Sequence, residues 1–185
     1  MPSKPPNKPP NKPPSKPLTD LPTELKVRGA THDDLSAITQ IYNEGIRERT
    51  ATFETRERTL KELQGWLRSP RHPLLVAQKE GEVLGWIAAS EYRPRECYAG
   101  VAEFSIYIAK QARGQGVGNA LMPAFFKACE EKGVWKLLSR IFPENKASLA
   151  LCKKHGFREV GVYEKHACLD GIWKDVVIVE RRLNP

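Results

Sequence analysis

Apolar and polar residues begin to alternate near Glu24, through Leu25-Lys26-Val27-Arg28, which is the period of a half-buried strand. Thr31 then offers an N-cap, Asp33 and Asp34 fill a first turn, and Leu35, Ile38, Ile41 and Tyr42 follow at helical spacing. Thr59 and Glu62 form a capping-box pair before Leu60, Leu63, Trp66 and Leu67, predicting a second helix that ends before Pro70. Leu74 to Gln78 and Val83 to Ser90 are apolar runs joined by Lys79-Glu80-Gly81-Glu82, a hairpin pattern. Val101 to Ala109 is rich in β-branched and aromatic residues and reads as a strand. A glycine-rich turn follows, then a helix with Leu121, Phe125, Ala128 and Cys129 on one face. Val134 to Ile141 reads as a strand, Ala147 to His155 as a helix, and two strands near 157–166 and 174–183 close the chain. The order β-α-α-β-β-β-α-β-α-β-β predicts an α/β domain, a mixed sheet with helices on both faces.

Composition changes this picture at one end only. The first 17 residues repeat Lys-Pro-Pro-Asn or Lys-Pro-Pro-Ser and hold eight of the 15 prolines among the chain's 185 residues. With so little apolar surface to bury, residues 1–23 are expected to be an extended, disordered tail, and residues 24–185 the folded domain. The net charge of +8 suggests nucleic acid until it is located. Four lysines, offset only by Asp20, lie in the first 20 residues, so the remainder carries +5, which suits a polyanionic small molecule equally well. The four cysteines form no C-x-x-C pair and the four histidines show no metal-ligand spacing, so no metal is expected. There is no apolar run long enough to span a bilayer and no secretory or transit pattern, so the expectation is a cytoplasmic protein.

The segment richest in chemistry is Arg113-Gly114-Gln115-Gly116-Val117-Gly118-Asn119, between a strand and a helix. Glycines let backbone N–H groups converge, and a helix N-terminus adds partial positive charge, which together suit a pyrophosphate. The spacing G-x-G-x-G is not the G-x-G-x-x-G of a dinucleotide fold, and no Lys-Ser or Lys-Thr follows as a P-loop requires.

Arg113 to Gly118 resembles the [QR]-x-x-G-x-[GA] loop of the GNAT superfamily of N-acetyltransferases. Asn145 to Phe157 resembles that superfamily's N-x-A-[SA]-x-x-[LF]-[YH]-x-x-x-G-F segment. Glu103-Phe-Ser-Ile-Tyr107-Ile108 and Gly171-Ile-Trp173-Lys-Asp175-Val176 resemble motifs of its phosphinothricin acetyltransferase branch. The resemblance spans about residues 25–183. It implies a GNAT fold, with a central, mostly antiparallel twisted sheet of about seven strands. It also implies acetyl-CoA as co-substrate, with Ile106, Tyr107 and Ile108 along its pantetheine arm, Arg113, Gly114, Gln115, Gly116, Val117, Gly118 and Asn119 at its pyrophosphate, and Asn145 beside it. An N-cap role for Asn145 is the competing reading.

Acetyl transfer to an amine needs a neutral amine, an attack geometry and stabilisation of the developing oxyanion. By the resemblance Glu103 is the general base; its other reading is a salt-bridged acid at a strand end. Strand alternation puts Glu103, Ser105 and Tyr107 on one face. Arg93, Arg95 and Tyr98 occupy the loop in which the branch binds the acceptor's anion, and Ser105 joins them; a solvated basic loop is the competing reading. Phe53 is either an acceptor-pocket wall or core. Cys152 stands where many relatives carry an acid, and is either a proton donor or a small core residue. Pro123 inside the helix after the glycines removes a backbone donor and clashes with the Asn119 carbonyl.

The reading is acetyl transfer from acetyl-CoA to the α-amine of a small amino acid or a glutamate-like toxin, of the phosphinothricin, methionine sulfoximine or arsinothricin type. A homodimer without nucleic-acid or membrane partners is expected. The alternatives are a protein N-terminal, lysine or polyamine acetyltransferase and, more remotely, a basic nucleic-acid-binding protein.

Overall fold

Two tight turns set the hairpins. Glu80 (φ 53°) and Gly81 (φ 84°) reverse the chain between β2 (Leu74–Lys79) and β3 (Glu82–Glu91). Asp170 (φ 50°) and Gly171 (φ 81°) do the same between β6 (Arg158–Leu169) and β7 (Ile172–Arg182). Both central residues take positive φ, as the hairpin turn that follows sheet twist demands. The last two strands therefore run to within two residues of each other, beyond the limits 166 and 174 expected from periodicity. Asp-Gly supplied the turn, and hydrophobic alternation alone does not register it.

The computed structural model describes residues 24–184; the Lys-Pro-Pro tail lies outside the described residues. The remaining strands are β1 (Lys26–Gly29), β4 (Val101–Ile108) and β5 (Lys136–Ile141), and the helices are α1 (Leu35–Glu48), α2 (Leu60–Leu63), α3 (Val117–Glu131) and α4 (Lys146–Lys154). The seven strands form one sheet in the order β1-β2-β3-β4-β5-β7-β6. Every neighbouring pair is antiparallel except β4 and β5.

Alternation along β3 shows which helix covers which face. Trp86 points to α1, meeting Tyr42 edge-on at 5.6 Å between ring centroids. A Cβ on its neighbour Gly85 would come 3.1 Å from Val117 at the start of α3, on the opposite face. The α1 stripe buries Leu35, Ile38, Ile41, Tyr42 and Ile46, and the α3 stripe buries Leu121, Met122, Phe125 and Cys129. Pro123 sits on the exposed side of α3, which runs unbroken to Glu131, so the missing donor falls where water can solvate the Asn119 carbonyl.

Side chains fasten the helix starts. The Glu62 carboxylate accepts from Thr59 N–H (2.8 Å) and Oγ1 (2.9 Å), the expected capping pair. The helix behind it is a single α turn that tightens to a 3₁₀ segment, Gln64–Arg68, where Gly65 is a poor α-helix former. Asp34 is buried and accepts from Thr31 N–H and from both terminal nitrogens of Arg28 at 2.7 and 2.8 Å. The Arg28 guanidinium holds its carboxyl below the usual range, and the pair joins β1 to the start of α1. No described helix is long and apolar enough to cross a membrane.

Candidate active site

β4 and β5 pair at only three positions, ending at Glu103↔Leu138. Beyond Glu103 the next five residues of β4 pair with β3 alone, so the edge of β4 facing β5 has free backbone groups. A cavity of about 450 Å³ lies against that edge. Its walls come from Ile106, Tyr107 and Ile108 of β4, from Arg113, Gly114, Gly116, Val117, Gly118 and Asn119 of the glycine turn, and from Asn145 at the start of α4.

The turn is shaped for an anion. Gly116 caps α3 in the left-handed region (φ 84°), and the first bond of the helix runs from Ala120 N–H to the Gly116 carbonyl. The amides of Val117, Gly118 and Asn119 are left directed beyond the helix end, with no side-chain cap competing for them. Gly118 serves close approach instead: a Cβ there would lie 2.9 Å from Cδ2 of Leu151 on α4, so a larger residue would have to displace that leucine. Gly116→Ala is expected to cost about 1–2 kcal/mol for holding a Cβ at positive φ. Calorimetry should read weaker acetyl-CoA binding and melting curves a lower Tm; no change in either would remove the turn from this account.

Gln115 does not line the cavity; its side-chain amide donates to the Gln111 carbonyl at 2.7 Å. Arg113 donates through Nε to the Ile108 carbonyl (3.2 Å) and pairs with Glu48 of α1 (2.9 Å). Its charge is therefore partly offset by Glu48, and Lys154 of α4 is a further cation in the cavity wall. Asn145 does two things at once, since its Oδ1 caps α4 by accepting from Ser148 N–H at 3.1 Å while the residue lines the cavity. Wall residues that motif reasoning did not reach include Gly45, Glu48 and Thr50 from the end of α1, and Ser148, Leu151 and Lys154 of α4. The α4 set follows Asn145 at helical spacing and was available from periodicity. The α1 set, about 100 residues before α4, left no such signal.

Tyr107 is packed between Trp86, stacked at 4.9 Å, and Tyr42, edge-on at 4.9 Å, and burial raises its hydroxyl pKa. Glu103 lies on the same strand face, two alternations before Tyr107, and is not part of the cavity wall. Both of its oxygens accept from Nη2 of Arg140 on β5, a partner the sequence did not indicate. The arginine is placed by the β4–β5 register: Leu138 faces Glu103 and Arg140 is one alternation further.

The residues expected to face the acceptor are scattered around this end of β4. Ser105 is exposed on the strand. Tyr98 meets Tyr92 edge-on at 5.4 Å in the β3–β4 connection, Arg93 lies over the Tyr92 ring, and Arg95 is exposed. Phe53 packs edge-on against Phe142 (4.8 Å) in a small apolar cluster with Leu169 and Val176, so its contacts are those of core. Cys152 is buried away from the cavity and its thiol is pushed up to about 12 by burial, which fits a core residue and not a proton donor.

Known proteins match this chain in both sequence and fold. The acetyltransferase (GNAT) family pattern fits residues 38–157. The chain belongs to that family. This acetyltransferase is 39% identical to a phosphinothricin N-acetyltransferase of Alcaligenes faecalis, over 85% of the chain and 82% of the relative. Its fold is similar to the phosphinothricin acetyltransferase of Sinorhizobium meliloti solved in complex with acetyl-CoA (TM-score 0.81, 30% identity, 86% of this chain and 89% of that one). It is also similar to a ribosomal-protein-alanine N-acetyltransferase from Brucella melitensis (TM-score 0.82, 32% identity, 86% and 100%). The enzyme is an acyltransferase and acetyl-CoA is its acetyl donor. Among the described residues no group of three His, Cys, Asp or Glu side chains is placed to hold a metal.

Proposed function

We propose that the enzyme acetylates the α-amine of a free, glutamate-like amino acid, such as phosphinothricin or methionine sulfoximine. The observation that carries this reading is the position of Glu103, a carboxylate where β4 and β5 part, on the strand whose free edge borders the cavity. The 39% identity to a phosphinothricin N-acetyltransferase supports the choice of acceptor.

Acetyl-CoA supplies the activated thioester. The free edge at Ile106, Tyr107 and Ile108 suits an amide-bearing pantetheine arm, the segment Arg113 to Asn119 suits the pyrophosphate, and Asn145 closes the far side. Glu103 takes a proton from the acceptor ammonium, directly or through water, and so yields the neutral amine that attacks. The departing thiolate is protonated by solvent, because Cys152 is out of reach. Arg93 and Arg95, exposed beside the N-terminal end of β4, meet the acceptor's distal anion, with Tyr98 and Ser105 as surrounding wall.

Thiol release from acetyl-CoA by the purified enzyme tests the acceptor. Saturable turnover is expected with phosphinothricin and methionine sulfoximine, well above that with a peptide beginning in alanine. Turnover of the peptide alone would transfer the assignment to a protein substrate, as the name of the Brucella melitensis structure suggests. The enzyme is further read as a cytoplasmic homodimer. β6 is an edge strand, and its hairpin with β7 leaves Val160, Val162, Tyr163, Ile172 and Trp173 each about half or more exposed. Sedimentation should give twice the chain mass of 20.9 kDa, and a monomer at micromolar concentration would exclude this surface as a self-contact.

A further inference from the structure

Arg140 has no part in the chemistry so far, yet it holds both oxygens of the proposed base. Both bonds leave from one nitrogen, Nη2, and Nε and Nη1 have no hydrogen-bond partner among the described residues. A guanidinium presents five N–H donors, and a pair of them matches a carboxylate in a fork. The Arg140 side chain is 43% exposed and that of Glu103 is 22% exposed, so an incoming molecule can reach both charges.

An α-amino acid carries its ammonium and carboxylate on one carbon, with the same signs and close spacing as an ion pair of opposite hand. We infer that Glu103 and Arg140 together receive this head group, the α-ammonium going to Glu103 and the α-carboxylate to Arg140. The exchange leaves the net charge of the site at zero and leaves neither charge without a partner, so little is lost in opening the ion pair. Arg140 thus selects for a free α-carboxylate, while Arg93 and Arg95 remain for the distal anion. A peptide N-terminus or a polyamine has no carboxylate to offer Arg140. This inference rests on the amino-acid reading of the site and names its specificity-determining residue.

The test compares phosphinothricin with the same molecule lacking its α-carboxylate, using wild-type enzyme, Arg140→Met and Arg140→Lys. The wild type is expected to prefer phosphinothricin. In Arg140→Met, KM for phosphinothricin should rise about 10- to 100-fold, the loss of one charge-assisted hydrogen-bonded pair, while KM for the decarboxylated amine stays within about twofold. Arg140→Lys should recover part of the loss. Equal losses on both amines, or an unchanged KM for phosphinothricin, would overturn the role of Arg140 with the amino-acid reading intact. Turnover of peptides but of neither small amine would overturn both. Circular dichroism melts confirm that a variant at this exposed position is folded.

Discussion

Glu103→Gln is expected to lower kcat about 10²- to 10⁴-fold, the usual contribution of a positioned base, equivalent to roughly 3–5 kcal/mol in the barrier. Glutamine keeps the shape of the side chain and one carbonyl acceptor for Arg140, but cannot take a proton from an ammonium. The substitution lies outside the cavity, so acetyl-CoA binding measured by calorimetry should be unchanged. The loss should therefore fall on kcat, whereas Arg140→Met should fall mainly on KM for the acceptor. Full turnover in Glu103→Gln would mean that water alone deprotonates the amine, and that the Glu103–Arg140 pair is a strand fastener.

The largest effect on stability is expected at Trp86. The indole is fully buried and touches Tyr42, Trp66 and Tyr107, with ring centroids 4.9 to 5.6 Å away. Trp86→Ala removes the hub of that cluster and leaves a cavity, costing about 3–5 kcal/mol. That is a large fraction of the roughly 5–15 kcal/mol by which domains are folded. Trp86→Phe should cost much less. It keeps aromatic contact and deletes an Nε1–H that is buried without an acceptor among the described residues, a group whose burial itself costs about 1–3 kcal/mol. Urea denaturation checks both, and equal losses in the two variants would show that the cluster does not depend on the ring. Tyr107 links this core to the proposed site, since one side of it packs on Trp86 while the residue lines the cavity proposed for acetyl-CoA. Trp86→Ala should accordingly weaken acetyl-CoA binding even where the protein remains folded.

Several site features were legible before any coordinates. The glycine turn was readable because main-chain amides suited to an anion are presented by glycines and a helix start, and both leave marks in a local stretch of sequence. Glu103 stood out as a carboxylate on an otherwise apolar strand. Asn145 was assigned two competing roles, and the structure places it as N-cap and as cavity wall together. Other features were hidden for reasons of distance or geometry. Arg140 lies 37 residues from Glu103 and meets it only because β4 and β5 pair in parallel with a particular register. Glu48 meets Arg113 across 65 residues. Phe53 looked equally like wall and core, and packing against Phe142, which directly follows β5, distinguishes them.

The sequence by itself determined the order of the main strands and helices, the Thr59–Glu62 capping pair and the Glu80-Gly81 hairpin. Each of these depends on backbone conformations and on neighbours within a few residues, where steric limits and local hydrogen bonds act. Only the tertiary structure decided that β4 and β5 part after Glu103, that an arginine waits beside the proposed base, and that Cys152 is sealed in the core. Those outcomes depend on strand register and on how α3 and α4 pack over the sheet, which are set by the fit of many distant side chains at once and so leave no local pattern to read.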